Sequence, residues 1–254
     1  MIIASACAVG TGAIDDLNGL ADLCACRSSE LWFHVDGAIG AVARCSTRLR
    51  PLFAGLERAD SVGFDLHKWL FVPYECGCIL IRDGQLHRST FAPPAPAYMT
   101  PVKGGIAPGE GETFFSDYGM ELSRSMKSLK VWMMFKAHGL EKLARILEQN
   151  VDQAQYFASL VVQHPDELEL LAKVQLNIVC FRYLTSGHAD LNELNKRILI
   201  QIQERGVAIV STLVIDGSVF AMRMCISNHR TRRADLDTFL QQLLSIGREL
   251  STAS

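Results

Sequence analysis

Two short segments, each placed where an apolar run ends, constrain the fold of this chain more than any other feature. Residues 34–38 read His-Val-Asp-Gly-Ala, and residues 65–69 read Asp-Leu-His-Lys-Trp. The apolar runs before them are predicted to be buried strands, because they are short and end at polar residues. Strands that alternate with helices form a mostly parallel sheet, and ligands bind at its carboxyl edge. We therefore expect Asp36 and Lys68 to lie at that edge.

The first half of the chain alternates predicted strands with a predicted helix. We expect strands at residues 1–9, 31–35, 59–64 and 78–82, and a helix at residues 14–27. Residues 91–119 are rich in proline and glycine and are predicted to form a long loop. A loop of this length is typical of an active-site lid, but a plain connector fits the composition equally well.

The second half is predicted to begin with two amphipathic helices, at residues 120–138 and 140–162. In the first helix Met126, Trp132 and Met133 recur at helical spacing, so we expect their side chains in the core. Further strands are predicted at residues 168–183, 207–214 and 219–226, and helices at residues 190–205 and 233–250. The predicted fold class is α/β, with a larger domain over residues 1–140 and a small α/β domain over residues 141–254.

Composition argues against several classes of partner. The formal net charge of −2 over 254 residues gives no sign of a nucleic-acid or anionic-membrane partner. No window approaches the ~20 apolar residues of a membrane span. Eight cysteines are spread through apolar segments, which indicates free thiols in a reducing, cytoplasmic setting. The pairs Cys24–Cys26 and Cys76–Cys78 are more closely spaced than typical zinc ligands, so no metal is expected.

Lys68 and Asp36 together suggest one chemistry. A lysine amine can form a Schiff base with the aldehyde of pyridoxal 5'-phosphate, and a carboxylate can keep the pyridine nitrogen protonated, so that the ring accepts electrons. Each residue also has a plainer interpretation, since Lys68 could extend to solvent from a strand end and Asp36 could be a turn residue. Their placement after neighbouring strands favours the cofactor site.

Residues 34–38 and 65–70 together resemble the group II pyridoxal-phosphate-dependent amino-acid decarboxylases. This family includes the aromatic amino-acid, glutamate and 2,4-diaminobutyrate decarboxylases. Weaker similarity extends over residues 12–17, 122–132, 179–182 and 222–227. The resemblance implies an incomplete large domain of fold type I of the pyridoxal-phosphate-dependent transferases, followed by a small α/β C-terminal domain.

The resemblance also implies roles for four residues around the cofactor. Lys68 would carry pyridoxal phosphate covalently, and Asp36 would pair with its pyridinium nitrogen. Ala38 would pack on the ring, and His67 would lie against the cofactor near its phosphate. These four residues all fall within the two segments that carry the resemblance.

Two further residues have implied roles outside those segments. Arg124 would bind near the active site, and Tyr98 in the Pro/Gly-rich loop would protonate the substrate carbon after CO2 leaves. The implied reaction is decarboxylation of an L-amino acid to its amine and CO2, in a cytoplasmic homodimer. Two alternatives stay open: another lyase of the same fold, and a non-catalytic remnant or interaction domain.

Only the C-terminal part of the family pattern is resembled. The family's phosphate-holding turn and its ring-stacking histidine belong to the part that is not resembled. We therefore expect this chain to bind pyridoxal phosphate poorly and to be inactive by itself, either as a fragment completed elsewhere or as an inactive remnant.

Overall fold

The computed structural model of this protein describes residues 1–26, 31–91, 114–186 and 190–252. Its strands are β1 Ile2–Ser5, β2 Phe33–Asp36, β3 Ser61–Asp65, β4 Gly77–Ile81, β5 Leu168–Leu170, β6 Ile178–Tyr183, β7 Ser211–Ile215 and β8 Val219–Cys225. Its α-helices are α1 Leu17–Cys26, α2 Gly84–Phe91, α3 Lys127–His138, α4 Leu140–Val162, α5 Leu191–Glu204 and α6 Arg233–Thr252. Within these ranges, no helix combines the length and the apolar character that crossing a membrane requires.

The first sheet leads into the two motif segments, residues 34–38 and residues 65–69. Its strand order is β1-β2-β3-β4, in which β1, β2 and β3 are parallel and β4 is antiparallel to β3. In β2, Phe33 and Val35 are buried while Asp36 is exposed, because successive side chains of a strand point to opposite faces. Helix α1 buries Leu17 and Ala21 and packs beside β1 and β2. The predicted mostly parallel sheet is confirmed, with one antiparallel edge strand.

The second sheet has the order β5-β6-β8-β7, and all of its neighbouring strands are antiparallel. A cluster of aromatic rings fills the core beside it. The ring of Phe157 meets those of Phe181 and Phe239 edge to face, with centroids 5.2 and 5.6 Å apart. Such edge-to-face contacts stabilise the core beyond the effect of the apolar area that they bury.

Helix α4 belongs to both cores, and its bounds coincide with those predicted for residues 140–162. Leu143 and Leu147 lie in the core of the first sheet. Phe157 and Val161, more than two turns further along, lie in the core of the second sheet. The predicted domain boundary therefore falls at the start of a helix that packs against both sheets.

Helix α3 corrects one prediction. It begins after Met126, and the side chains of Met126, Trp132 and Met133 are 72%, 58% and 56% exposed rather than buried. The face that packs on the first core instead carries Val131 and Phe135. Apolar spacing indicates that a helix has an apolar face, but α3 is apolar on two faces, and the pattern does not say which one is covered.

A buried hydrogen bond between α4 and the turn after β3 provides a test of how α4 packs. The indole N–H of Trp69 donates to Oδ1 of Asn150 at 3.0 Å, and both residues are fully buried. Asn150→Ala should lower the free energy of unfolding by about 1–3 kcal/mol, because the indole N–H then loses its partner in the core. Urea unfolding followed by circular dichroism measures this change.

The neighbouring Gln149 is exposed and supplies the control for that measurement. Gln149→Ala should change the free energy of unfolding by less than about 0.5 kcal/mol. Equal small changes for the two variants would contradict the role assigned to the Trp69–Asn150 bond.

Candidate active site

Strands β2 and β3 end side by side, and backbone hydrogen bonds join the residues that follow them. Asp36 is opposite Gly63 in the parallel register. The N–H of Gly37 donates to the carbonyl of Gly63 at 2.8 Å, and the N–H of Asp65 donates to the carbonyl of Ala38 at 3.1 Å. The ends of both strands are therefore fixed relative to each other at the carboxyl edge of the sheet, where such folds bind ligands.

Lys68 lies in the turn that follows β3. Its N–H donates to the carbonyl of Asp65 at 3.3 Å, which closes the turn. The lysine side chain is 45% exposed, and its Nζ lies 2.7 Å from Oδ2 of Asp65. This exposure agrees with the interpretation that Lys68 extends to solvent. The carboxylate of Asp65, however, holds the amine at the edge of the sheet. A small molecule at this edge can therefore reach a defined amine.

Asp36 is exposed at the end of β2, and its Oδ1 accepts the N–H of Ala38 at 3.0 Å. This short-range bond is typical of aspartate after a strand, and it fixes the carboxylate just beyond the sheet. The next residue, Gly37, has no room for a side chain, because an added Cβ would lie 2.3 Å from Cβ of Ala41. The tight turn after β2 therefore requires glycine at position 37.

His67 is oriented by the loop that follows the turn. Its neighbours Leu66 and Trp69 are buried, which fixes the turn against the core. The N–H of Cys76 donates to Nδ1 of His67 at 3.0 Å, and the ring of Tyr74 meets the imidazole edge to face at 4.8 Å. Because Nδ1 accepts a hydrogen bond, the proton of the neutral ring is on Nε2, which is therefore a donor.

Helix α3 binds this same loop through two lysines. Nζ of Lys127 lies 2.6 Å from Oε1 of Glu75, and Nζ of Lys130 donates to the carbonyls of Pro73 at 2.9 Å and Glu75 at 2.5 Å. The hydrogen bond from the Lys127 ammonium lowers the pKa of Glu75, and the carboxylate in turn raises the pKa of Lys127. The loop then continues to Cys76, whose N–H holds the imidazole.

Two contributions were missed by the sequence analysis. No role was predicted for Asp65, the first residue of the second motif segment. An acid three residues before a lysine in a turn is nevertheless a signal for the ion pair that forms. His34 is the other: its Nδ1 lies 2.7 Å from Oγ of Ser61, which also accepts the indole N–H of Trp32 at 2.8 Å. Because Oγ accepts from the indole, its own proton is available to the imidazole of His34.

Of the two residues with implied roles outside the motif segments, only Arg124 belongs to the described part of the chain. The guanidinium of Arg124 lies 3.8 Å from the centroid of the Phe115 ring and donates to the carbonyl of Phe115 at 3.5 Å. Its described contacts are thus with residue 115 rather than with Lys68 or Asp36. Tyr98 lies outside the described residues, as does most of the Pro/Gly-rich loop.

The thiols near the sheet are suited to packing rather than to chemistry. All eight cysteines are free, and among the described residues no three His, Cys, Asp or Glu side chains are grouped as metal ligands would be. Burial, with a smaller contribution from Cys225, raises the pKa of Cys7 to about 12. Burial likewise raises the pKa of Cys78. Both groups are therefore neutral thiols at physiological pH, and neutral thiols are poor nucleophiles and poor metal ligands.

The decisive comparison is with protein families: the pyridoxal-dependent decarboxylase conserved domain matches residues 1–184. The chain belongs to this family. That match includes both strand ends and the turn that carries the amine. The predicted family is thereby confirmed.

Individual relatives match most of this chain and about half of their own length. The aromatic-L-amino-acid decarboxylase of Bacillus atrophaeus is 36% identical over 253 residues, which cover 98% of this chain and 51% of the relative. The aromatic-L-amino-acid decarboxylase of Drosophila lebanonensis is 30% identical over 214 residues, which cover 84% of this chain and 50% of the relative. The chain thus spans about half the length of the curated relatives it matches.

Solved structures show the same architecture. The structure of Oryza sativa TDC with PLP and tryptamine matches with a TM-score of 0.87 at 24% identity, over 97% of this chain and 50% of that one. The glutamate decarboxylase domain of a Vibrio parahaemolyticus protein, diaminobutyrate-pyruvate transaminase and L-2,4-diaminobutyrate decarboxylase, matches with a TM-score of 0.76 at 27% identity, over 98% of this chain and 46% of that one. The predicted fold class is confirmed.

The donor set at this edge fits the family's cofactor. Pyridoxal phosphate requires one primary amine for its aldehyde and one carboxylate for its pyridine nitrogen. The exposed side chains of Lys68 and Asp36 supply these two groups from the ends of adjacent parallel strands. Both groups lie at the same edge of one sheet, which is the arrangement that a planar ring bound at two points needs.

The contact between α3 and the loop gives a prediction about Glu75. Lys127→Met should raise the pKa of Glu75 towards its ordinary value, because the variant removes the hydrogen bond that does most to lower it. An NMR titration of the carboxyl carbon measures the pKa. Lys142→Met, on the exposed surface of α4, should leave the pKa of Glu75 unchanged. An unshifted pKa in Lys127→Met would show that the ion pair does not form in solution.

Proposed function

We propose that this chain supplies the cofactor-bearing part of an enzyme that decarboxylates an L-amino acid to its amine and CO2. The observation that carries this proposal is the amine of Lys68 and the carboxylate of Asp36 at the ends of adjacent parallel strands. The family match and the relatives named as amino-acid decarboxylases support it. Because the chain spans about half the length of those relatives, the proposed activity requires residues that this chain does not supply.

Four residues of the chain would hold pyridoxal phosphate. Lys68 would bond its aldehyde carbon, and Asp36 would pair with its ring nitrogen. Ala38 would lie against the ring, and the Nε2–H of His67 would donate towards the phosphate. When bound, the cofactor supplies an electron sink for the pair that is released as the carboxylate leaves.

The other residues would act on protons and on position. Loss of CO2 from the substrate requires one proton to be returned to the α-carbon, and the phenol of Tyr98 would donate it. Arg124, by the family resemblance, would contribute to cofactor binding near the site. Lys68, beside Asp65, would lose a proton and, as the free amine, would hold the cofactor again when the product amine leaves.

Substrate, assembly and location form the finer part of the proposal. The relatives named as aromatic-L-amino-acid decarboxylases support an aromatic substrate. A homodimer is proposed by resemblance to the family. The eight free cysteines support a reducing, cytoplasmic location, since disulfides are rare there.

A completed protein tests the proposed reaction. When this chain is joined to the part of the Bacillus atrophaeus relative that it does not match, we expect stoichiometric release of CO2 and amine. L-tryptophan and L-tyrosine should react faster than L-glutamate. Lys68→Ala should abolish release, whereas Lys142→Ala should leave it unchanged. Tyr98→Phe should stall or divert the proton transfer, so that less amine forms for each CO2 released.

The contradictory results for that experiment are equally specific. CO2 release that survives Lys68→Ala would remove the proposed reaction from this site. If Tyr98→Phe alters neither rate nor product ratio, the proton donor is another residue. If all three amino acids remain intact in a folded, completed protein, another lyase reaction or a non-catalytic role takes the place of decarboxylation.

The chain by itself should bind the cofactor weakly. Holding the phosphate takes several charge-assisted hydrogen bonds, each worth roughly 1.5–3 kcal/mol. The family turn that makes these bonds lies in the part that the chain does not resemble. We therefore expect only a faint absorbance band of the lysine imine when pyridoxal phosphate is added at one equivalent. A strong band under these conditions would contradict this prediction.

A further inference from the structure

Asp65 makes more contacts at the edge of the sheet than the sequence motif suggests. Its backbone N–H donates to the carbonyl of Ala38, and its backbone carbonyl accepts the N–H of Lys68. Its carboxylate lies 2.7 Å from the amine of the same lysine. One residue thus connects the segment after β2, the end of β3 and the turn that carries the amine.

The carboxylate of Asp65 lies beside the neighbouring strand β4. Asp65 is opposite Gly77 in the antiparallel register of β3 and β4. A Cβ at position 77 would lie 3.1 Å from Oδ1 of Asp65, so the absence of a side chain there leaves room for the carboxylate. The Asp65 side chain is 27% exposed, less than the 45% of Lys68. Of the two charged groups, the carboxylate is the more confined.

A lysine amine on a flexible stem of four carbons needs such a fixed partner. An exposed lysine samples many rotamers, and only a fraction of them place Nζ at the strand end. An ion pair with a confined carboxylate raises that fraction before a ligand arrives, which favours a bond between the amine and a bound aldehyde. This advantage is lost if the carboxylate is removed while the stem remains.

We propose that Asp65 is a positioning residue, which holds the amine of Lys68 at the carboxyl edge of the sheet for reaction with the cofactor aldehyde. The inference rests on the proposed function, because it assigns the aldehyde bond to Lys68. Asp65 acts through Lys68 and does not itself touch the reacting carbon.

Competition between lysines within one chain tests this role. The full chain is incubated with excess pyridoxal phosphate, the adducts are reduced with borohydride, and peptide mass spectrometry gives the ratio of labelling at Lys68 to labelling at Lys142. In the unaltered chain Lys68 should be labelled first. Asp65→Ala should lower the ratio by about two- to five-fold, as expected for loss of one partly exposed ion pair. Asp65→Asn keeps an oxygen acceptor of the same size but removes the charge, so it should lower the ratio by less than Asp65→Ala does.

The sign of the change separates positioning from a purely electrostatic effect. A carboxylate that only stabilised the ammonium would slow its reaction, so both substitutions would raise the ratio equally. The matched control is Glu193→Ala, which removes the partner of Lys196 at the same spacing of three residues and should leave the ratio unchanged. Circular dichroism spectra and thermal midpoints establish that the variants are folded, and the isosteric Asp65→Asn serves this purpose if Asp65→Ala unfolds.

The outcomes distinguish this inference from the proposed function. A preference for Lys68 that persists undiminished in Asp65→Ala would overturn the positioning role and leave the proposed function standing. Equal labelling of Lys68 and Lys142 in the unaltered chain would also overturn the positioning role, whereas the proposed function is decided by CO2 release from the completed protein. A ratio that falls in Asp65→Ala, and falls by less in Asp65→Asn, would establish Asp65 as the residue that holds the amine.

Discussion

The parallel pairing of β2 with β3 is the interaction on which the candidate site depends. Their register places Asp36 opposite Gly63, and two backbone hydrogen bonds continue the pairing beyond the ends of the strands. A shift of the register by one residue would move every side chain of β2 to the opposite face. The carboxylate after β2 and the amine after β3 share one edge only because the strands stop where they do. Backbone pairing thus places the two strand ends at one edge of the sheet.

The turn after β3 is fixed by what it buries. Leu66 and Trp69 point into the core, and the indole of Trp69 reaches Asn150 of α4. Because these two residues face inwards, His67 and Lys68, which lie between them, are presented outwards. Helix α4 also packs against the second sheet, so the residue that receives the indole N–H is itself held by two cores. The orientation of the amine-bearing turn is in this way coupled to the packing of most of the described chain.

Sequence patterns predicted the parts of the fold in which periodicity and burial agree. The predicted bounds of helix α4 match the observed ones, because its apolar side chains are buried along its whole length. The first of them lie in the core of the first sheet and the later ones in the core of the second. The strand ends were predicted because polar residues follow short apolar runs. The buried face of helix α3 was predicted wrongly, because both of its faces are apolar and a pattern of side chains cannot say which one meets the core. The ion pair of Asp65 was also missed, although its spacing of three residues to Lys68 signals it, because the direction of the carboxylate at the end of β3 depends on neighbours distant in sequence, such as Gly77.

The candidate site separates two tasks that an amino-acid decarboxylase has to perform. An amine and a carboxylate at strand ends can hold a cofactor whatever side chain the amino acid carries, because neither group contacts that side chain when it engages the cofactor. Solved structures with different names accordingly share this architecture with the chain. An enzyme discriminates between substrates through polar groups of its site that stay unpaired when the wrong amino-acid side chain is bound. Such groups have to lie beyond the strand ends. The described edge of the sheet therefore presents groups that suit cofactor binding, while the choice of amino acid requires groups beyond this edge.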